Sequence, residues 1–286
     1  MASLRELRRR IKSAENIRGI TKAMEIISAV RYKKFAARYR KATPFFTELE
    51  RLLRSSASEE LATGSPLFAR RERKRELVLV ITGERGLCGS FNSSILKELT
   101  KYLAAGKDRK ISVYPIGKIA TAFARRRELD VWKSWMDIGY QFTPDLFKER
   151  ADEIVAAFLS GEFDEVNVLT VTMSRAGASK PALEPFLSLS YLLKKSGESL
   201  RSDYIFEPDQ QTALETLADL FIRQKLFTLL LKSVTAEYFA RMVAMKQATE
   251  NGKEVIKKLS LERNKVRQAM ITRELSEIIG GADALK

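Results

Sequence analysis

The last eighty or so residues, Gln210 to Lys286, hold no proline, and their only glycines are Gly252 and the Gly280-Gly281 pair. Apolar or small residues recur there at Tyr238, Met242, Met245, Thr249, Gly252, Ile256 and Leu259, in alternating steps of four and three. That spacing is a helical seam made to pair with another helix. Upstream, Leu214, Leu217, Leu220, Phe221, Leu226 and Leu230 carry the same kind of face. Gly280-Gly281 is the predicted C-terminal stop. At about 1.5 Å rise per residue, an unbroken helix here spans roughly 110 Å. No single domain of this size covers such a rod, so the sequence demands a second long helix or a partner.

The start of the chain supplies that second helix. Leu4, Leu7, Ile11, Ala14, Ile17, Ile20, Met24, Ile27 and Val30 again step by three and four, with Arg8, Arg9, Lys12, Arg18, Lys22, Lys33 and Lys34 on the opposite face. Ser3 followed by Glu6 fits a capping box. Pro44 predicts a kink or short break near Thr43. The net charge is +15, and residues 1–56 hold 15 Lys/Arg against 5 Asp/Glu. Any one of these lysines reads as solvated helix surface. The cluster, which Glu15 and Glu25 offset only in part, implies an acidic partner surface, a nucleic acid or a membrane.

The period changes in the middle. Residues 57–75 read as a linker, ending in the charge run RRERKRE. ELVLVIT (76–82), ISVYPIG (111–117) and EVNVLTVT (165–172) are short apolar runs typical of buried strands. Helical stretches are predicted over 94–104, 119–127 and 145–159, and extended ones over 129–136, 185–192 and 202–206. Alternating strands and helices predict an α/β domain with a mostly parallel sheet. The expected fold is a long antiparallel coiled coil of the N- and C-terminal helices with an inserted Rossmann-like α/β domain. Its divisions are 1–56 (N-terminal helix), 57–75 (linker), 76–206 (α/β domain) and 207–286 (C-terminal helix).

Composition removes several chemistries. There is no histidine, so the commonest general base and metal ligand are absent, and the one cysteine, Cys88, has no partner for a disulfide within the chain. No apolar run reaches transmembrane length, and the basic N-terminus lacks the apolar core of a secretory signal. GERGLCG (83–89) follows the first strand and resembles a phosphate-cradling turn, but its spacing is wrong for a dinucleotide fingerprint and no GK[ST] follows. A tight structural turn at Gly86 and Gly89 is the simpler reading. Cys88 reads as a buried structural residue. Glu84, Glu162, Asp164 and Glu165 lie near strand ends, yet nothing pairs two of them for acid–base work. Arg241, Asn264, Arg267, Gln268, Thr272 and Glu274 interrupt or flank the apolar C-terminal helix. They read either as ordinary surface ion pairing or as a polar contact patch for another protein.

Three blocks carry a resemblance to a known family: ITKAMEIISAVRYKK (20–34), ERGLCGSFN (84–92) and ARMVAMKQATENGKEVIKKLSLERNKVRQAMITRELSEIIGGADAL (240–285). The chain resembles the gamma subunits of F-type ATP synthases in order, spacing and length. Departures are Glu84 where the family usually has Asp, TAEYFARM where it has a SEHAARM-like run, and Arg263 where it has Tyr. They leave the contacts around Tyr238, Phe239 and Arg263 open.

The resemblance implies a non-catalytic rotor shaft turning inside a ring of alternating alpha and beta subunits, with the epsilon subunit and the membrane rotor ring of c subunits as further partners. It implies no cofactor, no metal and no catalytic residue in this chain, ATP chemistry being carried by beta. Met24, Lys33, Lys34, Arg241, Arg267, Gln268, Thr272 and Glu274 would contact beta, and apolar residues such as Ile278, Ile279 and Leu285 would slip inside the sleeve. The absence of a regulatory cysteine insertion and of a transit peptide favours a bacterial protein, peripheral on the cytoplasmic face of the inner membrane. The rival reading is a basic coiled-coil protein that binds nucleic acid. It lacks aromatic residues interleaved with the early basic cluster before Tyr32.

Overall fold

The computed structural model describes residues 3–57, 64–69, 71–106, 108–138, 144–173, 179–193, 207 and 209–283. The elements in chain order are α1 (Leu4–Ser56), a 3-10 turn (Pro66–Phe68), β1 (Arg75–Ile81), α2 (Phe91–Ala105), β2 (Lys110–Ile116), α3 (Lys118–Arg126), α4 (Pro144–Leu159), β3 (Glu165–Met173), β4 (Ser179–Leu187), a second 3-10 turn (Leu189–Leu192) and α5 (Gln210–Asp283). They form two compact units. One joins Met1–Ala29 with Arg241–Lys286, and the other is Val30–Ala240.

The larger unit is built on a four-stranded sheet of order β2-β1-β3-β4. β1 pairs in parallel with β2 and with β3, and β4 runs antiparallel to β3. β4 carries Pro181 and Pro185, which suits an edge strand because proline cannot donate to a ladder. Alternation along β1 sends Leu77, Leu79 and Ile81 to one face and Val78 and Val80 to the other. The first face packs on Ala151, Ile154 and Phe158 of α4, on Leu49 and Leu53 of α1, and on α5 from Leu214 to Leu230. The second packs on Phe91, Ile95 and Leu99 of α2 and on Ala236. Both faces are covered, which is why the strands read as unbroken apolar runs. A third cluster joins Phe35 to Leu231 and Tyr238, with the Phe35 and Tyr238 rings stacked at 5.7 Å.

In the smaller unit the Thr249 hydroxyl donates to that of Thr21 at 3.0 Å. A Cβ on Gly252 would lie 3.3 Å from that of Arg18. Partner numbers rise on α5 as they fall on α1, so the two segments are antiparallel. The stripe from Tyr238 to Leu259 is buried or half-buried throughout, as its spacing predicts. Ser3 caps α1, with the Glu6 N–H donating to its Oγ at 3.2 Å, while the Glu6 carboxylate pairs with Arg10.

Several expectations need correction. α1 runs through Pro44 without a break. Proline costs a helix about 3 kcal/mol, but packing on both sides outweighs it: Phe35 is buried before it, and after it Phe46 stacks on Phe221 and Leu49 and Leu53 are buried. α5 runs through Gly280-Gly281 to Asp283, since glycine weakens a helix by about 1 kcal/mol without breaking its ladder. The stretch 185–192 is strand only to Leu187 and then a 3-10 turn. The stretch 129–136 runs beside β2 without forming a continuous strand, joined to it by bridges at Val131 and Trp135, by the Ser112 hydroxyl donating to Asp130 and by the Tyr114–Trp132 ring contact. Leu220 is exposed on the outer side of α5.

The inner face of α1 also differs from the apolar stripe. Leu7, Ile11 and Ala14 face inward, but the seam then continues through Arg18, Thr21 and Ser28. Ile17 (57% exposed), Ile20 (61%), Ile27 and Val30 face outward. The predicted strand at 202–206 and Leu285 lie outside the described residues.

Candidate functional site

The features that stand apart from ordinary folding are surfaces of the helices. In the smaller unit, α1 exposes Ile17, Ile20, Ile26 and Ile27 beside Arg8, Arg9, Lys12 and Lys22. On α5, Leu261, Met270, Ile271, Leu275, Ile278 and Ile279 are exposed in turn. Apolar residues in such numbers at helical spacing mark a surface that another molecule covers. In the larger unit the outward side of α1 carries Val30, Lys33 and Lys34, all exposed.

The GERGLCG turn satisfies its own polar groups. The Gly83 N–H donates to Asn92 Oδ1 at 2.9 Å, and Asn92 Nδ2 donates to the Arg85 carbonyl at 3.3 Å and to the buried Cys88 Sγ at 3.1 Å. Gly89 takes a left-handed φ of 58°, as does Leu87 at 62°. A Cβ on Gly86 would meet open space. The Glu84 carboxylate accepts from the N–H of Lys118 at 3.2 Å, at the start of α3, and from that of Ile138 at 3.4 Å. It thereby takes the position at a helix N-terminus that favours an anion. A Cβ on Gly83 would come within 2.8 Å of the Glu237 carboxyl group of α5. The crevice where open α/β sheets hold ligands is thus packed with the chain's own carboxylates.

The comparisons decide what these surfaces belong to. A family model described as ATP synthase matches residues 3–285. The ATP synthase gamma chain of Fusobacterium nucleatum is 34% identical over 286 residues, and that of Pelotomaculum thermopropionicum 35%, each match covering the whole of both chains. The chain belongs to the ATP synthase gamma chain family. Two solved structures share the gamma-chain fold. A chain of the Euglena gracilis mitochondrial ATP synthase (OSCP/F1/c-ring) aligns with a TM-score of 0.68 at 18% identity, covering 99% of this chain and 94% of that one. A chain of the Tetrahymena thermophila mitochondrial ATP synthase central stalk/c-ring aligns at 0.62 and 22% identity, covering 80% and 99%.

The gamma-chain residues singled out from sequence fall into three groups. Arg267, Gln268, Thr272 and Glu274 share one exposed stretch of α5, where the Thr272 hydroxyl donates to the Gln268 carbonyl at 3.0 Å. Met24 is half-buried and Arg241 buried in the smaller unit, and the Met24 carbonyl accepts from the Ser28 hydroxyl at 2.6 Å. Lys33 and Lys34 belong to the larger unit.

Sequence reasoning missed an aromatic brace in the larger unit. Arg31 Nη1 donates to the Tyr238 hydroxyl at 2.8 Å, and the rings of Tyr32 and Phe239 lie 5.4 Å apart. The signal was present, since Tyr238 and Phe239 are the positions where the chain departs from the gamma-chain pattern. It also missed two buried charges, Glu76 and Lys225. Among the described residues no helix is long and apolar enough to cross a membrane, and no group of acidic or sulfur side chains is placed to hold a metal.

Proposed function

We propose that this chain is the central rotor shaft of an F-type ATP synthase. It couples ion flow through the membrane rotor to the conformational cycle of the catalytic beta subunits. The full-length relationship to bacterial gamma chains carries the reading. The exposed apolar and basic helix surfaces supply its physics: an apolar face turns within a sleeve with few directional bonds to break, and a basic face suits acidic loops. ATP is made or hydrolysed on beta, and this chain contributes shape rather than catalytic groups. Its partners are alpha and beta of the ring, epsilon and the c-subunit ring. None of the relatives found supports the nucleic-acid reading.

In this reading Met24, Lys33, Lys34, Arg241, Arg267, Gln268, Thr272 and Glu274 meet beta, and Gly86 and Gly89 shape a structural turn. Residues 1–56 and 207–286 form the shaft, 57–75 the linker and 76–206 the α/β domain. The complex sits on the cytoplasmic face of a bacterial plasma membrane as a peripheral assembly. The test is co-expression with alpha and beta, with Thr272→Cys disulfide-linked to a cysteine engineered in beta. Multi-site ATP hydrolysis is expected to stop on oxidation and return on reduction. Full turnover while cross-linked, or failure of alpha and beta to co-purify, would refute the assignment.

A further inference from the structure

The opposite end of the sheet from the GERGLCG turn holds a cavity of about 720 Å³, entirely within the larger unit. Several of its lining residues belong to an ion network around Glu76 of β1. Glu76 is fully buried. Its Oε1 accepts from the Tyr102 hydroxyl at 2.5 Å and from Asn167 Nδ2 at 2.8 Å, and Arg109 Nη1 lies 3.0 Å from its Oε2. Beside it Arg73 Nε lies 3.1 Å from Glu165 Oε2. Both Arg73 and Arg109 line the cavity, and the Arg109 guanidinium also lies over the Tyr102 ring at 5.5 Å.

The facing wall adds hydroxyls. Ser188, Ser190 and Tyr191 line it. The Tyr191 hydroxyl accepts from Lys225 Nζ at 2.5 Å, which leaves its own hydrogen to donate elsewhere. The lining carboxylates are occupied or weakened. Asp164 accepts from the backbone N–H of Lys74 and Arg75 and from the Arg75 guanidinium. Burial raises the pKa of Glu165, while Arg73 and Arg109 beside it favour its charged form. The cavity is therefore donor-rich, with two planar guanidinium groups suited to bidentate contact with an oxyanion.

We propose that this cavity is a binding site for a phosphate-class oxyanion, held by Arg73 and Arg109 on one side and by the Ser190 and Tyr191 hydroxyls on the other. Buried ion networks are costly to maintain relative to an apolar core. The proposal stands independently of the rotor reading. The test uses the full chain, with thermal unfolding and calorimetry in inorganic phosphate, citrate or ATP, each against chloride at matched ionic strength. Phosphate is expected to raise the melting temperature saturably in the millimolar range. Arg73→Gln should weaken that affinity about tenfold and Ser190→Ala severalfold, each read against the phosphate-free melting temperature of the same variant. No saturable effect beyond chloride, an effect undiminished in Arg73→Gln, or a response to citrate or ATP alone would overturn it.

Discussion

Lys225 fastens α5 to the α/β core through a charge whose cost depends on pH. Its Nζ donates to the Pro185 carbonyl and to the Tyr191 hydroxyl, with the rings of Phe186, Tyr191 and Phe221 around it. Glu184 of β4 and Glu50 of α1 favour its charge, while Lys232 of α5 and Arg54 of α1 oppose it. Burial outweighs all four and brings the ammonium down from 10.5 to about 8. Below pH 8 the native and unfolded chains both carry this proton, and the native state bears the full desolvation cost. Between pH 8 and 10.5 the native amine is neutral while the unfolded chain still binds the proton, so stability rises with pH. The displacement corresponds to about 3 kcal/mol.

Lys225→Met removes the titrating group while keeping most of its volume. Urea unfolding of the full chain from pH 7 to pH 10, followed by the fluorescence of Trp132 and Trp135, isolates the term as a difference between the two proteins. The gap should move in favour of the lysine-containing chain by about 2 to 3 kcal/mol across that range. Parallel pH dependences would refute the reasoning, whatever the absolute stabilities.

Four further perturbations follow from geometry. Pro44 is exposed within a continuous helix, so Pro44→Ala restores a ladder hydrogen bond without losing packing; urea midpoints should rise by an equivalent of about 1 to 3 kcal/mol. Gly117 takes a φ of 97° and its Cβ would sit 2.5 Å from the Thr82 carbonyl oxygen, so Gly117→Ala should cost about 3 kcal/mol or more. Gly86→Ala, in open space, should by the same measurement stay within about 0.5 kcal/mol. Glu76→Gln strips the Arg109 guanidinium of its carboxylate and should destabilise by about 3 kcal/mol, with part recovered on adding Arg109→Gln.

The three parallel strands were legible because they are buried on both faces and mostly apolar, as in 76–82 and 165–172; the edge strand β4, half-exposed and carrying Lys180, Glu184 and two prolines, was read only from Pro185 onward. The long helices were legible from their periods. What escaped were terms that a period does not contain. Proline at 44 and glycines at 280 and 281 carry penalties of a few kcal/mol at most, which neighbouring packing and an intact ladder absorb. Leu189–Leu192 is apolar enough for a strand, but the chain turns there. Of the candidate contact residues, Arg267, Gln268, Thr272 and Glu274 are exposed on one stretch of α5. Arg241 is buried, a placement its charge gives no reason to expect. Glu76 and Lys225 were passed over because a charged residue at the edge of an apolar run ordinarily snorkels to water.

The largest misreading, the inner face of α1, concerns packing distance. Hydrophobicity alone turns Ile17, Ile20 and Ile27 toward α5, and burying such side chains is worth roughly 1.5 to 3 kcal/mol each. The seam instead presents Arg18, Thr21 and Ser28, where a hydroxyl pair such as Thr21–Thr249 is worth only about 1 kcal/mol. The stronger option is closed sterically. With the ideal Cβ of Gly252 only 3.3 Å from that of Arg18, the backbones approach too closely for a branched isoleucine to enter. Small residues at Thr249 and Gly252 fix that approach, and the isoleucines one position away are turned outward by the same helix rotation. The exposed apolar stripe is thus a direct consequence of the close seam. A sequence that keeps both a tight inner contact and three outward isoleucines is shaped for something that surrounds the helix pair.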